Sequence, residues 1–179
     1  MPNIDPGDWP AAIHGAFSEA GVKLVSYVPD AGHKRLIELC QNDESLTTVP
    51  LTTEEEGIGL AMGAWLGGEK SVLLLQSSGV GNLVNALGAV MECRFPLLMI
   101  VTMRGEKGEF NPWQVPMGTA TPTVLKEMGV TVKRVEHADQ VGGAVAAALE
   151  DGFRRDTPVA LLISQSLLGI KSFQEQVDR

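Results

Sequence analysis

Residues 71–103, SVLLLQSSGVGNLVNALGAVMECRFPLLMIVTM, decide the fold. Ser71–Gln76 and Pro96–Met103 are unbroken apolar runs of strand length, separated by the polar segment SSGVGN and a helical stretch from about Leu83 to Glu92. Strands buried on both faces read as continuous apolar runs, and two of them joined through a helix make a right-handed parallel crossover. The alternation continues in both directions. Upstream, Trp9, Ile13 and Phe17 recur at helical spacing before Gly21, and Lys23–Val28 is a strand closed by Pro29. Residues 31–41 place Leu36, Ile37 and Cys40 on one helical face, Thr48–Leu51 is a short strand, and Thr53 opens the next helix. Downstream, a polar loop from Arg104 to Gly118 precedes a helix through Leu125, a strand at Val130–Val135, a helix at Ala138–Phe153 and a strand at Pro158–Ser164. This order predicts one three-layer α/β domain over residues 9–165, a six-stranded, mostly parallel sheet with helices on both faces. Residues 1–8 are read as a leader and 166–179 as a polar tail.

The chain's 179 residues, 44% apolar and 20% charged, suit a single domain with a real core. Its net charge of −8 and the lack of a Lys/Arg stripe argue against a nucleic-acid partner. MPNIDPGDWP has neither the basic start nor the apolar run of a signal peptide, and no apolar stretch approaches the ~20 residues of a membrane span. A cytoplasmic protein without membrane contact is expected. Cys40 and Cys93 lie far apart without a CxxC pair, and they are expected to be half-buried free thiols rather than a zinc site or disulfide.

Ligands of open parallel sheets bind beyond the carboxyl ends of the strands, so the segments that follow each strand are where chemistry is sought. Thr53-Glu54-Glu55-Glu56 precedes GIGLAMGAWLGG. Thr53 with Glu56 fits a capping box, and acidic residues in a first turn suit the helix dipole. Ile58, Ala61, Met62, Trp65 and Leu66 form one stripe, with Glu54 and Glu55 at its two margins and Glu56 pointing away. A glutamate at such a margin is partly desolvated and suited to exchange protons, but periodicity does not choose between Glu54 and Glu55. In Ser77-Ser78-Gly79-Val80-Gly81-Asn82 the two glycines permit a tight turn and close ligand approach. The third glycine of a dinucleotide loop is absent, with Val84 in its place. The three histidines are scattered: His14 reads as helix surface, His137 as a strand–helix turn, and His33 alone stands near the presumed mouth.

Glu54, then Gly63 nine residues on, then a buried strand and SSGVGN, together resemble the pyrimidine-binding (PYR) domain of thiamine diphosphate enzymes. The resemblance spans roughly Trp9 to Ser164, with Ala64-Trp65 standing where the wider superfamily has Tyr-Ala. TEEEGIGLAMGAWLGG, LLLQSSGVGNLVNALG and RGEKGEFNPWQVPMGTATPTVLKEMG look most like sulfopyruvate and phosphonopyruvate decarboxylases, and PMGTATP after an Arg-Gly loop looks like the α subunits of two-chain sulfopyruvate decarboxylases.

The resemblance implies that Glu54, with Glu55 in reserve, hydrogen-bonds the aminopyrimidine of thiamine diphosphate and promotes its activation. It implies cofactor contacts from Pro29, Gly79, Val80, Gly81 and Asn82, and substrate-facing positions at Asp30, Gln76, Ser77, Arg104 and Gln114. Arg104, with the nearby Lys107, offers positive charge to a sulfonate or phosphonate, although Lys107 also reads as a solvated loop residue. The Gly-Asp-Gly…Asn motif that holds the diphosphate and Mg²⁺ in such enzymes is missing from this sequence, so no metal site is expected here. A separate β chain is expected to hold the diphosphate and Mg²⁺, the α chain to self-associate, and the pair to act on a small 2-oxo acid. Sulfopyruvate is the first expectation and phosphonopyruvate the alternative. Two readings of other classes compete. One is a Rossmann-type NAD(P)-binding domain using Gly79-Val80-Gly81, with Arg104 near a 2′-phosphate; the other is a non-catalytic PYR-like module.

Overall fold

Asp8 starts the first helix by accepting a hydrogen bond from the Ala11 N–H at 3.3 Å, Pro10 fits the first turn, and Gly21 ends it in the left-handed conformation at φ 71°. The computed structural model describes residues 7–168. In chain order the elements are α1 (Trp9–Ala20), β1 (Val22–Tyr27), α2 (Lys34–Gln41), β2 (Thr47–Pro50), α3 (Glu54–Leu66), β3 (Lys70–Gln76), α4 (Val80–Cys93), β4 (Leu97–Thr102), α5 (Val115–Glu127), β5 (Thr131–Val135), α6 (Ala138–Arg155) and β6 (Pro158–Ile163). One-turn 3₁₀ segments stand at Ser77–Gly79, Pro112–Gln114 and Gln165–Leu167.

The six strands form one sheet in the order β2-β1-β3-β4-β6-β5, and every pairing is parallel. β4 and β6 are buried at all six positions, which is why they are unbroken apolar runs. Side chains alternate between two cores. Val72, Leu74, Leu98 and Ile100 face α1, α2 and α6, while Leu73, Leu75, Met99 and Val101 face α3, α4 and α5. From β1 the chain moves outward to β2, then returns to β3 on the other side, so the topological switch lies between β1 and β3. Their carboxyl ends diverge there into a crevice, the general ligand site of such sheets.

The expected strand count and layering hold, but several boundaries shift. SSGVGN is not a loop: Ser77–Gly79 is one 3₁₀ turn and α4 begins at Val80, three residues before the expected Leu83. The buried Val80 side chain docks in the core and outweighs the low helix propensity of the two glycines. α2 begins at Lys34 rather than 31, because residues 31–33 form the turn at the crevice. Leu66, read as part of the α3 stripe, is exposed. Cys40 is buried and Cys93 exposed, rather than both half-buried, and both are free. Most of the expected leader (1–6) and tail (169–179) lies outside the described residues.

Candidate active site

Glu54 is the first residue of α3 and is only 7% exposed, whereas Glu55 and Glu56 are exposed. The geometry therefore separates the two marginal glutamates, and Glu55 faces solvent. The Glu54 carboxylate lies directly over Gly79, where an added Cβ would overlap it. Its Oε2 accepts a hydrogen bond from the Asn82 amide at 2.7 Å, and among the described residues no donor is recorded on Oε1. Glu54, Gly79 and Asn82 thus form one wall carrying a half-satisfied carboxylate at a helix start, where the dipole favours negative charge.

The expected capping box is displaced by one residue. The Thr53 hydroxyl makes no cap, and the Glu56 carboxylate accepts from the Thr52 N–H at 2.8 Å instead. Glu56 remains a helix-start residue with no part in the wall.

A second group forms at the switch point. Asp30, after β1, accepts from the Gln76 amide at 2.9 Å and from the Thr102 hydroxyl at 2.8 Å, and Gln76 accepts from the Ser78 hydroxyl at 2.7 Å. Asp30 and Gln76, both read as substrate-facing positions in the sequence, are brought together here. Thr102 and Ser78 were not singled out, although Thr102 is the one hydroxyl within the apolar run 96–103. Beneath them, His33 is fully buried, with Nε2 at 3.2 and 3.1 Å from the carbonyl oxygens of Leu75 and Ile100. Nε2 must carry the proton that both carbonyls accept, and Nδ1 is buried without a partner. Burial pushes the His33 pKa down and keeps the ring neutral, against the opposing pull of Asp30.

Two expected substrate contacts need correction. Ser77 is fully buried, its Oγ accepting from the Arg104 N–H at 3.0 Å and its carbonyl accepting from the Thr121 hydroxyl at 3.2 Å, so it holds structure and does not face a crevice. Arg104 does not offer free positive charge. Its guanidinium donates to both oxygens of Glu109, at 2.8 Å through Nε and 2.6 Å through Nη2, and both side chains are nearly buried. Hydrogen bonds from Arg104 and from the N–H groups of Gly105 and Asn111 outweigh desolvation and hold the Glu109 carboxyl far below the usual carboxylate range. Spacing alone could not pair residues through an irregular loop.

Gln114 lies half-buried in the turn before α5 and does not line the cavity that Asp30, Gly32, Arg104 and Glu109 enclose. Pro29 is exposed beside Asp30, the Val80 side chain is in the core, and Gly81 is exposed on the first turn of α4. With the Glu54 carboxylate occupying the space over Gly79, a dinucleotide pyrophosphate has no room against that glycine, which counts against the NAD(P) reading. No helix of the described residues is long and apolar enough to cross a membrane.

Comparisons with known proteins agree with this architecture. Residues 10–132 match the family described as thiamine pyrophosphate enzyme, N-terminal TPP binding domain. The chain is 35% identical over 153 residues to the sulfopyruvate decarboxylase subunit alpha of Methanococcus maripaludis, covering 85% of this chain and 92% of that one. It is 30% identical over 162 residues to the phosphonopyruvate decarboxylase of Streptomyces viridochromogenes, covering 89% of this chain and 41% of that one. Among solved structures, the 2-oxoglutarate:ferredoxin oxidoreductase from Magnetococcus marinus superposes with a TM-score of 0.71 at 16% identity, over 89% of this chain and 29% of that chain, a likeness of fold. A matching profile over most of the domain, together with an identity of 35% to a relative matched along nearly its whole length, places the family beyond the fold alone: the chain belongs to the thiamine pyrophosphate enzymes and carries their N-terminal TPP binding domain.

Proposed function

We propose that this chain is the α subunit of a two-chain thiamine diphosphate-dependent decarboxylase that converts 3-sulfopyruvate to sulfoacetaldehyde and carbon dioxide. The observation that carries the reading is Glu54: a nearly buried carboxylate with one oxygen fixed by Asn82 and the other without a recorded donor beside a glycine. That carboxyl oxygen fits an aminopyrimidine, whose ring nitrogen pairs with it through one shared proton. Thiamine diphosphate, when bound, supplies the electron sink that lets a 2-oxo acid lose carbon dioxide. Glu54 holds and moves the proton at the pyrimidine nitrogen, Asn82 fixes the carboxylate, and Gly79 leaves room for both. Asp30 and Gln76, at the switch-point crevice, face the substrate, and Pro29, Val80 and Gly81 border the cofactor through their backbone.

The diphosphate and Mg²⁺ belong to a β chain in this reading, since Mg²⁺ needs carboxylates and diphosphate oxygens together. The word "subunit" in the relatives' names supports a multi-chain enzyme. Self-association and a cytoplasmic location complete the proposal. Sulfopyruvate is preferred over phosphonopyruvate because the sulfopyruvate decarboxylase α subunits are 35%, 32% and 31% identical to this chain and the phosphonopyruvate decarboxylases 30% and 28%. The test is reconstitution: the α chain mixed with its β chain, thiamine diphosphate and Mg²⁺ should release carbon dioxide from 3-sulfopyruvate faster than from 3-phosphonopyruvate, and the α chain alone from neither. Full turnover by the isolated α chain would overturn the two-chain reading, and no turnover by the mixture would overturn the activity.

A further inference from the structure

Glu109 accepts five hydrogen bonds: two from the Arg104 guanidinium, two from the N–H groups of Gly105 and Asn111 at 3.0 and 2.9 Å, and one from the Gln165 amide at 3.0 Å. This is a preformed anion site, and a carboxylate from the same loop occupies it. Beside it lies a cavity of about 40 Å³ bordered by Asp30, Gly32, Arg104 and Gln165. One water needs ~10–15 Å³ of such space, so the cavity admits a few waters and no 2-oxo acid. Glu109 therefore closes off the Arg104 guanidinium.

Building on the proposed decarboxylase, we infer that Glu109 is an internal stand-in for the substrate's anionic tail: a sulfonate entering beside Asp30 displaces it from Arg104, and the loop 105–111 yields to make the room. The exchange replaces one anion on a buried guanidinium with another, and the displaced carboxylate regains water. A 2-oxo acid with an uncharged tail offers no replacement and leaves Arg104 unpaired, which a buried cation resists. The charges also rank the two tetrahedral anions. Once Glu109 leaves, the charged groups of this chain at the cavity are Asp30 and Arg104, which together balance to zero. A sulfonate adds a single negative charge, while a phosphonate near neutral pH carries up to two, with Asp30 close by.

The experiment has one arm on the free α chain and one on the reconstituted complex. Titration of the chain with inorganic sulfate and inorganic phosphate by calorimetry should show weak binding in the wild type. Glu109→Gln should bind sulfate at least tenfold more tightly, and the gain should vanish in Glu109→Gln/Arg104→Met. Glu109→Asp keeps the charge but withdraws it by one methylene, so it should shift sulfate binding the same way by a smaller factor and serves if Glu109→Gln does not fold. In the complex, the ratio of kcat/KM for 3-sulfopyruvate to that for pyruvate should rise in Glu109→Gln and fall at least tenfold in Arg104→Lys. Sulfate binding that neither Glu109 variant improves would overturn the inference, as would an equal change for both 2-oxo acids, the mark of a purely structural latch. A wild-type complex that turns over no 2-oxo acid would sink the decarboxylase reading, while the sulfate arm would still judge Glu109.

Discussion

Gly79 owes its identity to Glu54: a Cβ at this position would come within 2.6 Å of the Glu54 Cγ and overlap the carboxylate, although the backbone there, φ −70° and ψ −20°, suits every L-residue. The requirement is for space and not for conformational freedom. Gly81, two residues on, differs: its added Cβ would meet the Met117 sulfur at 3.5 Å, an ordinary contact.

Gly79→Ala should therefore leave the chain folded, by near-ultraviolet circular dichroism, while the displaced carboxylate lowers turnover of the reconstituted enzyme at least ~10²-fold, on the scale of losing general acid–base catalysis. Gly81→Ala, at a helical position where a methyl makes only an ordinary contact, should raise stability by about 0.5–1 kcal/mol in denaturant melts. An equal loss of turnover in both variants would contradict the steric argument.

Glu54→Gln keeps the shape of the wall and removes its proton exchange, so turnover should fall about 10²–10⁴-fold with assembly intact. Glu55→Gln, on the exposed side of α3, should change turnover less than twofold. Glu56→Gln should cost about 1 kcal/mol or less through the Thr52 N–H it caps, read as a small drop in melting temperature. Loss of activity in Glu55→Gln with Glu54→Gln active would move the catalytic role by one residue.

Acid should loosen the 105–111 loop. The Glu109 carboxyl is held below the 4.5 of a free glutamate chiefly by Arg104, so its stabilisation is complete above about pH 4.5 and is lost only as pH falls toward the lower folded value. Glu106 follows the same sign, as hydrogen bonds from Arg134 and the Gln165 N–H outweigh its desolvation. At pH 7, Glu109→Gln should melt lower than wild type by ~2 kcal/mol, or ~4–8 °C for a domain of this size. That gap should narrow steadily below pH 4.5. A gap independent of pH would mean that the ionised carboxylate contributes nothing.

The two thiols should separate cleanly. Desolvation pushes the Cys40 thiol up to about 12, and the side chain is buried between α2 and the sheet, while Cys93 is exposed at the end of α4. A thiol reagent at pH 8 should label one cysteine per folded chain and both in denaturant. Fast labelling of Cys40 in the native protein would show that α2 opens readily.

The layering was legible because burial on both faces writes itself into β3, β4 and β6 as unbroken apolar runs. The start of α4 was not, since two glycines in SSGVGN suggest a turn, and only the docking of Val80 in the core decides for helix. The choice between Glu54 and Glu55 was equally closed to periodicity: both flank the same stripe, and the residue that distinguishes them, Gly79, is on another element. The glutamate wall could be reached through family resemblance, because its spacing lies on regular elements. The Arg104–Glu109 pair could not, because an irregular loop has no period from which a partner could be inferred.

The 105–111 loop and the wall of the site also differ in when they can form. Glu54 meets Gly79 and Asn82 within a sequence separation of 28, across one helix–strand–helix unit. The loop residues Glu106 and Glu109 are tied to Gln165, up to 59 positions away, and Glu106 pairs also with Arg134. Arg134 lies within β5 and Gln165 just after β6, so the 105–111 loop settles only after the last two strands have joined the sheet, at the larger cost of closing a longer chain segment. As the chain leaves the ribosome from its N-terminus, the residues of the Glu54–Gly79–Asn82 wall are all present while the 105–111 loop still waits for the end of the domain.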